Sequence, residues 1–168
     1  DDQLLHRQTD RPFGARQRLA QAVRPITRVE HVPLATAAGR VAAADLAATI
    51  WVPPFARSAM DGYAVRAADV ACATAEHPVR LRVIERVFTG QLAAHTVSAG
   101  TACEIATGAP IPEGADTVVP VEDTARAEGD VDIRVPSITG QHIGRRGADI
   151  SPGDLVVPTR HSLEPSDW

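Results

Sequence analysis

Short apolar runs separated by turn-forming residues restrict the fold of this chain more than any other feature of its sequence. The runs have the length of β-strands and lie at residues 79–87, 101–106, 117–121, 131–135 and 155–157. Clusters rich in Gly, Pro, Ser and Asp lie at residues 98–100, 110–114, 128–130 and 151–154. Residues of these types favour tight turns. The pattern predicts a compact β-barrel or β-sandwich with little helix.

Residues 14–24 have helical spacing instead. Ala15, Leu19, Ala22 and Val23 follow the i, i+4, i+7, i+8 pattern of one helix face, and Pro25 stops the pattern. We therefore expect one amphipathic helix here, preceded by a flexible polar lead over residues 1–12.

Two weaker patterns follow the helix. Residues 29–34 are β-like, and residues 41–48 are Ala-rich and compatible with either a strand or a helix. In the run at residues 79–87 the apolar alternation shifts phase after Val83, which predicts a strand with a β-bulge.

Composition excludes several functional classes. The chain has 168 residues with 17 basic and 21 acidic side chains, and every basic side chain is Arg. A net charge of −4 offers no general nucleic-acid surface, although individual Arg residues can still bind an anion. No run approaches the roughly 20 apolar residues of a membrane span, and the first residues lack the pattern of a signal peptide. We expect a cytoplasmic protein with no membrane or nucleic-acid partner.

The cysteines and histidines do not form a metal-binding pattern. Cys72 and Cys103 are predicted to be small buried residues in a reducing compartment, with a disulfide left open. The six His residues have no metal-ligand spacing, and we assign them no catalytic role.

The first candidate site segment is residues 53–65, which has neither strand nor helix period. Pro53 and Pro54 favour an extended approach, and Asp61-Gly62 predicts a turn that presents Asp61 at a loop tip. A carboxylate fixed there could bind a metal ion, act as a general base or accept a hydrogen bond from substrate. The alternative is a turn with no further role.

The second candidate segment is residues 107–112, Thr-Gly-Ala-Pro-Ile-Pro. Gly108 lets a ligand or another backbone come close, and the Thr107 hydroxyl both donates and accepts hydrogen bonds. A strand-ending turn is the alternative, because no Gly-x-Gly-x-x-Gly or Walker pattern is present.

The third candidate segment is residues 140–150. Arg145 and Arg146 could hold an oxyanion such as phosphate while Asp149 holds a cation or a water. An internal Arg–Asp salt bridge is the alternative reading.

Together these segments resemble the MoeA family, the molybdopterin molybdotransferases. The resemblance lies in Ser-Ala-Met-Asp-Gly-Tyr-Ala at residues 58–64, in residues 100–119 and in residues 140–150, and it extends from about Ala15 to about Pro158. The chain departs from the family pattern at Ala56, at Gly144 and at Ala148. It also departs at Arg160, where the family has the Gly of Pro-x-Gly-x-x-Leu.

The resemblance implies an α+β, mostly β fold. Residues 1–24 would form the lead and the helix, and residues 25–48 with 141–168 a discontinuous first domain. Residues 49–140 would form an inserted β-barrel-like second domain. The family's larger α/β third domain and its C-terminal β domain have no counterpart in these 168 residues.

The resemblance also implies a function. The full enzyme would take adenylated molybdopterin and molybdate, use Mg²⁺ and release AMP. Asp61, Thr107 and Asp149 match catalytic positions, and Ser58, Gly108, Arg145 and Arg146 are expected to bind substrate.

In the family, the second domain faces the third domain of the partner subunit. We therefore expect a homodimer whose site this chain only half supplies, so that the chain alone is inactive. The alternatives are a binding or scaffolding module without chemistry, or a stand-alone paralogue that acts in trans.

Overall fold

The computed structural model describes residues 12–24 and 26–167, so residues 1–11 of the predicted lead lie outside it. The helices of the described residues are α1 (Pro12–Ala22) and α2 (Ala67–Val70), with 3-10 turns at Leu34–Thr36, Val121–Asp123 and Pro165–Asp167. The strands are β1 (Leu46–Ala47), β2 (Arg57–Ser58), β3 (Gly62–Val65), β4 (Val79–Val87), β5 (Thr101–Ile105), β6 (Thr117–Pro120), β7 (Thr124–Ala127), β8 (Asp130–Ile133), β9 (Ile143–Gly144) and β10 (Leu155–Val157). The prediction of a mostly β chain with few helices is confirmed.

The chain divides into two units. The first contains the described residues up to Ala43 together with Arg160 and the residues after it, and the second contains Ala44–Thr159. In the first unit Val41 forms a β-bridge with Ser162. In the second unit β1 pairs with β10, with Leu46 opposite Val157. The discontinuous domain predicted over residues 25–48 and 141–168 stays a prediction.

Most strands of the second unit form one six-stranded sheet in the order β6-β3-β5-β4-β8-β7. The pairs are antiparallel except for β4 with β5, which is parallel. Arg126 on β7 forms an ion pair with Glu104 on β5, although β4 and β8 separate these strands in the sheet. The sheet therefore curls toward a half-barrel.

A hydrophobic cluster packs on each face of this sheet. One contains Tyr63 and Val65 of β3 with Val70 of α2, and the other contains Ala64 of β3 with Ile105 of β5. All four residues of β3 are buried, because the strand lies between β6 and β5 in the sheet with a cluster on either face. A strand buried on both faces has no alternating pattern. This is why the expectation of an irregular loop through residue 65 is wrong over Gly62–Val65.

The β-bulge predicted in the run at residues 79–87 is confirmed. β4 covers Val79–Val87, and its register against β5 shifts between Val83 and Glu85. The runs at residues 101–106, 117–121, 131–135 and 155–157 are also confirmed as strands β5, β6, β8 and β10. β7 was missed, because Thr-Ala-Arg-Ala at an edge of the sheet has no apolar run.

In the N-terminal part the predicted helix is confirmed and the predicted strand is not. The predicted helix is α1, although Leu19 within it and Val23 directly after it, two residues of the predicted apolar face, are exposed. The strand expected at residues 29–34 is wrong. Val29 is exposed without a strand partner, and Pro33, which has no N–H to donate, precedes the 3-10 turn. No described helix is both long and apolar enough to span a membrane.

Both cysteines are free thiols. Cys103 is buried as expected, and burial, followed by the charges of Glu85 and Glu104, raises the pKa of its thiol to about 12. Cys72 is exposed, so its predicted burial is wrong. It lies in the turn after α2, where Val70 and Ala73 fill the core positions.

Gly62 is required by close packing, and its φ is not positive. A Cβ atom at this position would lie 2.0 Å from the backbone oxygen of Val119 on β6. The Gly of the Asp-Gly pair therefore allows two strands to approach, and the expected turn geometry at Gly62 is wrong.

We predict that Gly62→Ala destabilises the fold by about 1–3 kcal/mol, because the added methyl must push β3 and β6 apart. The matched control is Gly144→Ala, whose new Cβ would lie 3.4 Å from the flexible Arg57 side chain. Urea unfolding of both variants tests this. Equal losses of stability would show that the β3–β6 approach is not the cause.

Arg160 has a φ of 68°, in the region that favours glycine. Its N–H donates to the Ala42 carbonyl at 2.8 Å, which holds the backbone in this conformation. The position is the one at which the sequence departs from a Gly in the family pattern. A Gly at this position would adopt the observed backbone conformation without strain.

We predict that Arg160→Gly stabilises the chain by about 0.5–1 kcal/mol, since the left-handed conformation costs other residues more than the chain entropy that Gly adds. Arg160→Ala is the control, because it removes the guanidinium but keeps Cβ. Thermal unfolding should show a gain for Gly alone. A gain of the same size with Ala would assign the effect to the charge.

Candidate functional site

Asp61 and Thr107, two of the three predicted catalytic residues, are in direct contact. The Thr107 N–H donates to Asp61 Oδ1 at 2.7 Å. The Asp61 carbonyl accepts the Val121 N–H at 3.0 Å, which fixes the backbone immediately before β3. Both residues are exposed, so a ligand can reach the paired groups from solvent.

The contact keeps Asp61 charged. The hydrogen bond from the Thr107 backbone lowers the pKa of the Asp61 carboxyl, and the Thr107 side chain lowers it further against a small opposing effect of burial. A carboxylate that accepts backbone hydrogen bonds is favoured in its ionised form. Asp61 is thus a preformed anion that can accept a further hydrogen bond or bind a cation.

Ser58 holds the turn that leads to Asp61. Its side chain is 2% exposed, and its Oγ donates to the Met60 carbonyl at 2.5 Å. The hydroxyl is therefore used within the turn, while its predicted role in substrate binding stays a prediction.

Strand β2 joins the first segment to the other two. On one side, Ser58 donates its N–H to Ala109 at 2.9 Å and accepts the Gly108 N–H at 2.8 Å. On the other side, β2 pairs with β9, which places Ser58 opposite Ile143. The three segments that the sequence singled out thus meet along one backbone.

Gly108 has a φ of 81°, which agrees with the expected tight turn. The second segment is therefore both a strand-ending turn and the support of Thr107. The two readings of this segment do not exclude each other.

Asp149 is placed differently. It is exposed, and its N–H donates to the Val52 carbonyl at 3.0 Å, so it lies beside the chain that precedes the first segment. Among the described residues no ion pair joins Asp149 to Arg145 or Arg146. The Arg146 guanidinium instead lies over the Trp51 ring, 5.0 Å from its centroid. The alternative of an internal Arg–Asp salt bridge is wrong.

A cavity of about 220 Å³ adjoins Asp61. Its lining includes Arg86, Phe88, Glu104 and Val121, none of which the sequence singled out. Arg86 donates to Glu104 at 2.8 Å, so the cavity carries an internally paired charge beside the Asp61 carboxylate. Arg86 and Glu104 lie on neighbouring strands β4 and β5, and only their registry brings them together.

A larger cavity of about 580 Å³ shares Arg86 and Glu104 but contains none of the predicted site residues. Its other charged lining residues are Glu85, Arg126, Glu128 and Asp130. With four carboxylates and two guanidinium groups it does not suit an anionic substrate. We therefore place the candidate site at Asp61 and Thr107.

The described residues contain no cluster of three or more His, Cys, Asp or Glu that could hold a metal ion alone. Asp61 can supply one carboxylate. Mg²⁺ is commonly bound by one or two carboxylates, with water and substrate phosphates as the remaining ligands. The described residues therefore fit an ion that is bound by Asp61 together with substrate. They do not form a site in which the protein alone supplies all the ligands.

Comparison with known proteins identifies the family. Residues 13–168 match the model of the MoeA N-terminal region, domains I and II. The chain belongs to the MoeA family.

Relatives and solved structures agree with this MoeA assignment. The chain is 40% identical over 150 residues to the molybdopterin molybdenumtransferase of Synechococcus elongatus, covering 88% of this chain and 37% of the relative. It is 42% identical over 148 residues to molybdopterin molybdenumtransferase 2 of Mycobacterium tuberculosis, covering 88% and 36%. A crystal structure of the molybdopterin biosynthesis MoeA protein of Pyrococcus horikoshii has a TM-score of 0.82 at 37% identity, covering 90% of this chain and 40% of that one.

The chain therefore spans a little over a third of the length of these MoeA relatives. The match lies over the MoeA N-terminal region, which contains all three candidate segments. Any step that needs the remaining two thirds of the relatives cannot be assigned to residues of this chain.

We predict that the Thr107 amide resonance titrates with a midpoint below 3.8, the ordinary pKa of an Asp side chain. Because the pKa of folded Asp61 is lowered, the stabilisation from this contact is present above the unfolded pKa and is lost as pH falls through the folded pKa. NMR of the Thr107 amide over the acid pH range measures this midpoint. The titration should disappear in Asp61→Asn, and a midpoint at or above 3.8 would contradict the prediction.

Proposed function

We propose that this chain is the part of a molybdopterin molybdenumtransferase that contributes Asp61, Thr107 and Asp149 to insertion of molybdate into adenylated molybdopterin, with release of AMP. The observation that supports it most strongly is the contact between Asp61 and Thr107. These residues are 46 positions apart and both match the family pattern.

In the proposed reaction Asp61 acts as a fixed anion. The Thr107 N–H donates to Asp61 Oδ1, and the Thr107 hydroxyl interacts with the same carboxylate. The remaining lone pairs of the carboxylate can accept a proton or a hydrogen bond from substrate without Asp61 first losing a proton itself. The oxygen of the Thr107 hydroxyl can in turn accept a hydrogen bond from substrate.

Asp61 is also the residue that would hold the proposed Mg²⁺, together with phosphate oxygens of the substrate. When bound, the ion would neutralise phosphate charge as AMP departs. Arg145 and Arg146 are exposed and remain the candidates for binding the anionic substrate.

We propose that the complete enzyme is a cytoplasmic homodimer. The chain covers about 37% of the length of a relative, and the remaining part would carry the domain that binds the pterin nucleotide. The active site would then form between this chain and the third domain of the partner subunit. A chain with half of such a site loses the positioning that makes the reaction fast.

We predict that Asp61→Asn, Thr107→Ala and Asp149→Asn, placed in the complete enzyme, each lower the rate of AMP release by about 10²–10³-fold with little change in melting temperature. The physical reason is that these three side chains are polar and exposed, so their replacement changes the stability of the fold little. The matched control is Glu76→Gln, which neutralises an exposed carboxylate outside the three segments.

Single-turnover AMP release and thermal unfolding of the same variants measure the two effects separately. Variants that melt early while their folded fraction keeps its normal rate would overturn the proposal. AMP release by the isolated 168-residue chain would show that the site is complete without a further domain.

A further inference from the structure

Thr89 lies in a tight turn next to the candidate site. The turn follows β4, with the Gln91 N–H donating to the Phe88 carbonyl at 3.0 Å and Gly90 at a φ of 86°. The Gln91 side chain accepts the Phe88 N–H at 3.3 Å. These contacts close the turn from both directions, so Thr89 is held by its own backbone.

The side chain of Thr89 contacts the second segment. Thr89 Oγ1 donates to the Thr107 carbonyl at 2.8 Å. A Cβ placed on Gly108 would lie 3.5 Å from Thr89 Oγ1 and 3.7 Å from its Cγ2, so the two residues pack side by side. Thr107 is thus held through its carbonyl by Thr89 while its N–H holds Asp61.

We propose that Thr89 is a positioning residue that fixes Thr107 in the orientation from which its N–H reaches the Asp61 carboxylate. The importance of this role for turnover rests on the proposed function, whereas the contact itself does not. Thr107 is exposed, and the peptide between Thr107 and Gly108 is held at two points. The Gly108 N–H donates to the Ser58 carbonyl, and the Thr107 carbonyl accepts the Thr89 hydroxyl, which is the side-chain restraint from outside the segment.

The charged groups around Asp61 allow the effect of Thr89 to be isolated. Arg86 and Glu104 line the same cavity, and Glu104 is paired with both Arg86 and Arg126. Replacing Thr89 adds and removes no charge. A change at the Thr107 amide is therefore not a direct effect of an altered charge.

The test uses Thr89→Val, which keeps the shape and removes the hydroxyl, and Thr89→Ser, which keeps the hydroxyl. Thr89→Ala repeats the loss of the hydroxyl with a smaller side chain. The matched control is Thr96→Val, an exposed Thr of the same loop whose hydroxyl lies 3.4 Å from Glu113.

In the isolated chain we expect the Thr107 amide to exchange about three- to tenfold faster in Thr89→Val and Thr89→Ala, the change that one weak hydrogen bond gives. Thr89→Ser and Thr96→Val should match the wild type. Unchanged exchange of the Thr107 amide in Thr89→Val, followed by NMR, would overturn the proposal whatever the activity shows.

In the complete enzyme we expect Thr89→Val to lower kcat by about three- to tenfold with KM unchanged, and Thr89→Ser to restore kcat. A normal kcat together with the NMR changes would overturn the role in turnover. If Asp61→Asn itself keeps full activity, the proposed function of the pair is wrong, while the NMR result still decides whether Thr89 positions Thr107.

Discussion

The backbone between Arg57 and Val65 pairs on both of its edges, and the rest of the second unit depends on this. At its start, Ser58 bonds to the turn at Gly108 and Ala109 on one side and lies opposite Ile143 on the other. At its end, β3 lies between β5 and β6. Backbone N–H and C=O groups that are buried need partners, and this stretch finds them in segments that are distant along the chain. It therefore fixes both the sheet and the positions of the candidate residues.

The close approach of β3 and β6 restricts which residue can occupy position 62. Gly62 passes so near the Val119 carbonyl that no other residue fits without movement of the backbone. Asp61 precedes Gly62 and inherits a fixed position, with its carbonyl bound by Val121 and its carboxylate by Thr107. The carboxylate is thus charged and oriented before any ligand arrives. Preorganised groups of this kind stabilise a developing charge without reorganising during the reaction.

The candidate site is exposed to solvent. Asp61 and Thr107 face solvent beside a small cavity lined by Arg86 and by Glu104, whose carboxylate pairs with both Arg86 and Arg126. The matched region is 37% of the Synechococcus elongatus relative, which therefore has further residues that this chain lacks. Asp149 bonds to Val52 and Arg146 lies over Trp51, so both contact the chain that precedes β2, whereas Asp61 lies after β2.

The sequence by itself determined the mostly β character, most strands, the bulge in β4 and the three segments that carry the candidate residues. These features depend on local rules of apolar runs, turn residues and phase shifts, together with motifs that can be read in order. Only the tertiary structure decided that Gly62–Val65 is a buried strand between two others, that Cys72 is exposed and that Asp61 meets Thr107. It also revealed Thr89, Arg86 and Glu104, for which no local signal exists. Contacts between strands depend on register and on burial of both sheet faces, and neither quantity is encoded in the spacing of residues along one segment.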